Sequence, residues 1–212
     1  MIEILCRREN FGGLRGSRVK YIVVHYTAGR NDTAEDNGAY FAREQVGASA
    51  HYFVDETTVV RSVPEEYVAW HCGGAQYFHD KCRNGNSIGV EICTKYVGGQ
   101  YSFAPEAVAL AQELVRALMK KYDVPAERVL RHYDVTGKIC PAPFVGEGQA
   151  DWEQFKEDLM RYETLEQTPE WAKETVRKLL ERQILQGDGS GLDLSRDMTR
   201  LLVILDRAGM FE

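Results

Sequence analysis

The sequence predicts an α/β fold: a central, mostly mixed β-sheet flanked by helices, with a small all-α appendage at the C-terminus. Three observations predict it. Two β-branched apolar runs, Val19 to His25 and Ser87 to Cys93, read as buried strands. Helical patterns lie between and after them. Beyond Arg161 the texture changes to a polar linker and two amphipathic stripes.

Taken in order, the run Tyr21-Ile22-Val23-Val24 ends on a polar residue, His25, with Thr27-Ala28-Gly29 as the turn after it. Asp32-Thr33 is an N-cap for a helix from about Ala34 to Gln45, which Ala39, Tyr40 and Phe41 make partly apolar. Ala50 to Val54 and Val59 to Val63 form a hairpin turning near Asp55-Glu56. Residues 73–86, rich in Gly, Asn and Asp, form a loop. In SIGVEIC, alternation puts Ile88, Val90 and Ile92 on one face and Gly89, Glu91 and Cys93 on the other. Pro105 opens a long helix that Val124-Pro125 ends. Val129 to His132 is a short strand. Trp152, Phe155 and Leu159 fall at i, i+3 and i+7, the spacing of a packed helix.

The expected domains are residues 1–162 and 163–212. In the second, Trp171, Val176, Leu179, Leu180 and Ile184 make one stripe and Met198, Leu201, Leu202 and Leu205 another, joined by the glycine-rich turn QGDGSGLDLS. So small a hairpin buries little core alone, so it docks, tethers or pairs with a second copy through its helices.

Hydrophobic content of 44% and charged content of 27% are ordinary for a globular chain. A net charge of −6 without a basic run argues against nucleic acid as partner. No apolar stretch is long enough to span a bilayer, which excludes membrane insertion. The start MIEILCRRENFGG has neither a long apolar region nor a small-residue cleavage site, so it is not a Sec signal. The expectation is synthesis in the cytoplasm, with another route out if the substrate lies outside. Five cysteines without a dense framework fit a reduced compartment, although Cys72 and Cys82 are close enough in sequence to pair after export.

His25, His132 and Cys140 are the candidate metal ligands. Each alone is unremarkable: histidines cap buried runs, and single cysteines are core thiols. Together, two imidazoles and a thiolate suit zinc and leave a fourth position open, which marks a catalytic rather than a structural ion. His132 and Cys140 bracket a turn containing Gly137, so one loop presents both. Glu91 stands in an otherwise apolar strand, where a carboxylate is expensive unless paired or functional. It is the candidate general base. Lys138, two residues before Cys140, is either a solvated loop lysine or an ammonium that stabilises a developing oxyanion. A rival grouping, His71-Cys72 with His79 and Cys82, has the spacing of a structural zinc site.

The segments VVHYTAG, SAHYFVD, AWHCGG, NSIGVEI and RHYDVTGKICP occur in the order found in zinc-dependent N-acetylmuramoyl-L-alanine amidases, the superfamily that includes phage endolysins and peptidoglycan recognition proteins. The resemblance covers about residues 18–160. It implies Zn2+ bound by His25, His132 and Cys140, with Glu91 and Lys138 as catalytic residues. It further implies hydrolysis of the bond between N-acetylmuramic acid and L-alanine in bacterial peptidoglycan, with action on the cell wall after phage-type release or non-Sec export. His71 resembles a cleft-lining histidine of the family and, with Thr27 and Asn86, is a candidate substrate-binding residue; His51 is read as a packing or outer-shell residue. One departure stands out: some members place a tyrosine directly before the histidine of SAHYFVD, where this chain has Ala50, so a tyrosine role does not carry over. A non-catalytic peptidoglycan-binding module and an amidase acting on another acyl amide are the alternatives. The tail also resembles short helical modules related to S-layer homology units, which implies a wall tether.

Overall fold

A computed structural model of the chain describes residues 1–187, 189 and 191–211. The chain divides into two compact units, Met1–Phe155 and Lys156–Glu212. In chain order it forms β1 (Ile2–Glu3), β2 (Phe11–Leu14), β3 (Tyr21–Tyr26), α1 (Ala34–Arg43), β4 (Tyr52–Val54), β5 (Val59–Arg61), β6 (Tyr67–Ala69), β7 (Ser87–Ile92), β8 (Lys95–Val97), β9 (Gln100–Ser102), α2 (Pro105–Tyr122), β10 (Val129–Arg131), α3 (His132–Thr136), α4 (Gln149–Leu159), α5 (Glu170–Glu181) and α6 (Arg196–Arg207).

The main sheet has the order β1-β5-β4-β7-β3-β10. All its pairs are parallel except β4–β5, the expected hairpin, so the sheet is mixed. The two apolar runs, β3 and β7, lie side by side at its centre in parallel, and parallel strands need both faces covered. Accordingly Ile22, Val23, Val24, Ile88, Val90 and Ile92 are completely buried. Helix α2 packs against β3, β4 and β7, and α1 against β4 and β5.

Local chemistry sets the helix limits. Thr33 and Asp36 form a reciprocal capping box at the start of α1, and the Ala34 N–H donates to the buried Asp55 carboxylate at 2.8 Å. Pro105 opens α2, where its missing N–H costs nothing, and Asp123 closes it in the left-handed region. Trp152 and Phe155 of α4 stack on each other and pack on Phe144, whose other neighbour is Phe103.

Four features differ from the sequence expectation. The strand expected to reach His132 stops at Arg131, because Asp134 caps the backbone there and starts a short helix at His132. The helix expected to reach Gln45 ends at Arg43. A small antiparallel pair, β2–β6, and the hairpin β8–β9 carry no signal in the sequence; their strands are three or four residues long, too short for alternation to register.

The second unit is built on α5 and α6. Their facing sides bury Ala172, Val176, Leu179 and Val203. Thr175 Oγ1 and Lys178 Nζ reach the Asp206 carboxylate at 2.8 and 2.7 Å, tying the helices together. Ser195 caps α6 by accepting from the Met198 N–H. In the turn before α6, Asp188 and Ser190 lie outside the described residues. Among the described residues, no helix is long and apolar enough to cross a membrane.

Candidate metal centre and catalytic cleft

Parallel pairing of β3 with β7 sets His25 directly beside Glu91 and Val23 beside Gly89. Side chains of paired residues share a face, so the imidazole and the carboxylate emerge together near the strand ends. On the far side of β3, β10 delivers the chain to α3, and His132 is the first residue of that helix. The turn that follows bends back at Gly137, whose φ of 79° is left-handed; a Cβ there would also meet the Phe78 ring at 2.3 Å. Backbone bonds from Cys140 N to the Lys138 carbonyl (2.7 Å) and from Tyr133 N to the Cys140 carbonyl (2.8 Å) then fix Cys140.

The buried Arg131 anchors this segment. Its guanidinium donates to Asp134, to the Phe144 carbonyl at 2.6 Å and to Gln149 at 2.7 Å.

The outcome is a cluster: one ligand atom from each of His25, His132 and Cys140, all within 4.8 Å of one another, with all three residues buried. The His25 Nδ1 faces the Cys140 Sγ at 3.5 Å. The His132 Nδ1 is buried without a hydrogen-bond partner, although its Nε2 has the Gly73 carbonyl at 3.3 Å. A buried polar nitrogen left unpaired costs stability unless something else satisfies it. His25, His132 and Cys140 are thus the residues that would hold a cation here, and two nitrogens with a sulfur are a donor set that suits zinc. The donor set and the orphaned nitrogen fit a borderline-soft cation.

The electrostatics agree. Burial, reinforced by neighbouring His71, His132 and Lys138, holds His25 well below the usual imidazole range. Burial and then Lys138 bring His132 down to about 4. Both rings are therefore neutral, the form that ligates. Burial pushes the Cys140 thiol up to about 12, so in the free protein it keeps its proton until a cation displaces it.

A cleft of about 290 Å³ opens over these atoms, its walls including Thr27, Trp70, His71, Glu91 and Lys138. Glu91 is half-buried overall, yet its Oε2 is sealed from solvent and has no hydrogen-bond partner. Burial pushes its carboxyl up to about 8, opposed by Lys138 and assisted by Asp32. Lys138 itself is exposed at the rim.

Asn86 does not line this cleft. Its Oδ1 accepts from the Arg83 N–H at 2.8 Å and its Nδ2 donates to the Lys81 carbonyl at 2.9 Å, so both polar ends close the loop before β7. The rival zinc grouping is not assembled among the described residues. His79 Nδ1 instead accepts from the Lys81 and Cys82 N–H groups, and Cys72 and Cys82 sit in an apolar cluster with Tyr21, Val23 and Val135. All five cysteines are buried free thiols. His51 packs behind the site: its Nδ1 accepts from the Gly89 N–H at 3.0 Å, and its Nε2 lies 3.2 Å from the Tyr67 carbonyl.

Ser87 and Arg131 were not singled out in the sequence. Arg131 stands three residues before Asp134, a spacing that signals a local ion pair; Ser87 gave no signal beyond its place at a strand start.

Known proteins share this architecture. PlyL, solved in a mutant form, superposes with a TM-score of 0.63 at 28% identity, covering 75% of this chain and 97% of that structure. The catalytic domain of XlyA superposes with a TM-score of 0.61 at 28% identity, over 75% of this chain and 98% of that domain. By sequence, the N-acetylmuramoyl-L-alanine amidase CwlL of Bacillus licheniformis is 40% identical over 150 residues, covering 64% of this chain and 39% of that protein. CwlA of Bacillus subtilis (strain 168) is 34% identical over 140 residues, covering 66% of this chain and 48% of that protein. The chain thus spans less than half the length of these two curated relatives. The family model described as N-acetylmuramoyl-L-alanine amidase (Amidase_2) matches residues 15–143, which hold every strand of the main sheet except β1, together with the ligand cluster and Glu91. This chain belongs to that amidase family.

Proposed function

We propose that the chain hydrolyses the amide bond joining N-acetylmuramic acid to L-alanine in peptidoglycan, using zinc held by His25, His132 and Cys140. The observation that supports this most directly is the pairing of three converging donor atoms with a sealed, unpartnered carboxylate oxygen of Glu91 in one cleft. The amidase names of its relatives, which extend beyond this chain, support the choice of substrate.

Zinc in such a ligand set polarises a carbonyl and acidifies water. Glu91 takes the proton from the attacking water and returns it to the leaving amine of alanine. Burial raises this carboxyl to about 8, which favours holding a proton, and a cation bound beside it would act in the opposite direction. Lys138, at the cleft rim, supplies positive charge to the carbonyl oxygen as negative charge develops there. The neutral imidazoles leave the net charge of the site positive. A purely binding module has no need for a carboxylate with a sealed, unpartnered oxygen beside the ligand set.

The test is metal content and amine release from purified cell walls, with and without chelator. About one zinc per chain and chelator-sensitive release of the alanine amine are expected. New reducing sugar, or no product from a zinc-loaded chain, would refute the reading.

For the second unit the proposed role is a tether to the wall, the place of action that the substrate reading implies. It exposes Trp171, Met198, Leu201 and Ile204, a surface that also suits a homodimer. Ending the chain at residue 162 separates the two: a tether loses sedimentation with walls, a dimer loses half its mass.

A further inference from the structure

The cleft-lining histidine His71 is 8% exposed, and both its ring nitrogens are spent inside the protein. Its Nδ1 lies 3.0 Å from the His25 Nε2, and its Nε2 lies 3.1 Å from the Ser87 Oγ. The Ser87 hydroxyl in turn lies 2.8 Å from the Arg83 carbonyl.

The direction of this chain is fixed from its far end. A carbonyl only accepts, and at 2.8 Å it is nearer to the Ser87 hydroxyl than the His71 Nε2 at 3.1 Å or the Cys72 Sγ at 3.7 Å, so the single Ser87 proton is assigned to Arg83. Ser87 must then accept from His71, which puts the His71 proton on Nε2 and leaves its Nδ1 as an acceptor. His25 therefore carries its proton on Nε2 and donates it to His71. The His25 Nδ1, the nitrogen that faces the Cys140 Sγ, is left with a bare lone pair. Run in the opposite sense, the chain would protonate that nitrogen and leave the Arg83 carbonyl with the Asn86 N–H at 3.1 Å as its remaining donor.

The surroundings are shaped to hold the ring in this place. A Cβ at position 89 would come 2.5 Å from the His71 Cγ, so the glycine at that register of β7 is what admits the imidazole. The backbone N–H groups of His71 and Cys72 both donate to the Asn84 side chain, at 3.1 and 2.8 Å. His25 meets the ring edge-on at 5.1 Å, and His51 does so at 5.7 Å.

We infer that His71 is a positioning residue for the metal centre: the Arg83–Ser87–His71 chain sets the tautomer and orientation of His25 and keeps its Nδ1 available to the cation. This rests on the zinc reading above and replaces a substrate-contact role for His71. Outer partners of ligating histidines commonly change metal affinity 10- to 100-fold.

The test uses the full chain and zinc alone, with affinity measured by competition against a chromophoric chelator. His71→Leu should weaken zinc binding about 10- to 100-fold while circular dichroism stays native. His71→Asn, whose Oδ1 takes the acceptor position of Nδ1, should recover most of that loss. Ser87→Ala should fall between them and decides the matter if His71→Leu does not fold. At saturating zinc, amine release by His71→Asn should keep the wild-type KM. Native-like zinc affinity in folded His71→Leu, or in Ser87→Ala, would overturn the inference; a raised KM with unchanged affinity would return His71 to substrate contact. A wild-type chain that binds no zinc would instead defeat the metal reading itself, and this inference with it.

Discussion

The two units of this chain solve opposite problems. The first, Met1–Phe155, hides its chemistry: His25, His51, His71, His132 and Cys140 are buried, and so is the Oε2 of Glu91. The second, Lys156–Glu212, hides apolar side chains on the facing sides of α5 and α6 and leaves Trp171, Met198, Leu201 and Ile204 exposed. All five histidines and all five cysteines of the sequence fall in the first unit. Burying polar groups costs stability and is sustained only by a large sheet packed on both faces; a helical hairpin has too little core to carry such a load. Function therefore sits where stability is spent, and the smaller unit is free to present surface.

The sharpest way to test that contrast is to remove the carboxyl whose Oε2 is buried without a partner. Glu91→Ala should lower amine release by about 10²- to 10⁴-fold while zinc stays bound, and the metal-free protein should melt no lower than wild type at pH 8. Full residual activity would take Glu91 out of the reaction.

Acid should separate the units next. Burial, and then the charge of Arg15, lower His51 to about 3. An unfolded histidine titrates near 6.5, so the unfolded state takes up protons first as pH falls. The stability that the neutral ring contributes is present above about pH 6.5 and drains away toward the folded value, by on the order of 3–5 kcal/mol for this residue alone. His25, His71 and His132 shift in the same direction. The melting temperature of the metal-free first unit should fall steeply between pH 6.5 and 4. The second unit has no histidine and should lack that limb; parallel acid loss in both would break the contrast.

Smaller effects probe the hairpin. Leu179 is fully buried, and Leu179→Ala should cost the second unit about 2–4 kcal/mol by leaving a cavity. Ser195→Ala removes the cap of α6 and should cost about 1 kcal/mol. Thermal or denaturant melting of both variants reads these costs directly. Amine release from soluble muropeptides should be unchanged in each, and its loss would contradict the division of labour.

Much of this was legible in the chain itself. Apolar runs, the Thr33 cap, the Pro105 start and the Gly137 turn are local signals, because each residue's own backbone preferences and burial tendency act within a few positions. The same holds for the types of residue at His25, Glu91, His132 and Cys140: a carboxylate in an apolar strand is conspicuous before any fold is known. Placement was less legible. Asn86 reads as a cleft residue but closes its own loop, and His71 reads as a substrate contact but turns both nitrogens inward.

The sequence determined which groups are available and which segments are strand or helix. The tertiary structure alone decided that β3 lies beside β7 in the register that faces His25 with Glu91, and that Arg83, Ser87, His71 and His25 fall in one hydrogen-bonded row. Apart from the Arg83–Ser87 contact, those relations join distant positions, and packing and hydrogen bonding across the sheet select them, which no local preference encodes.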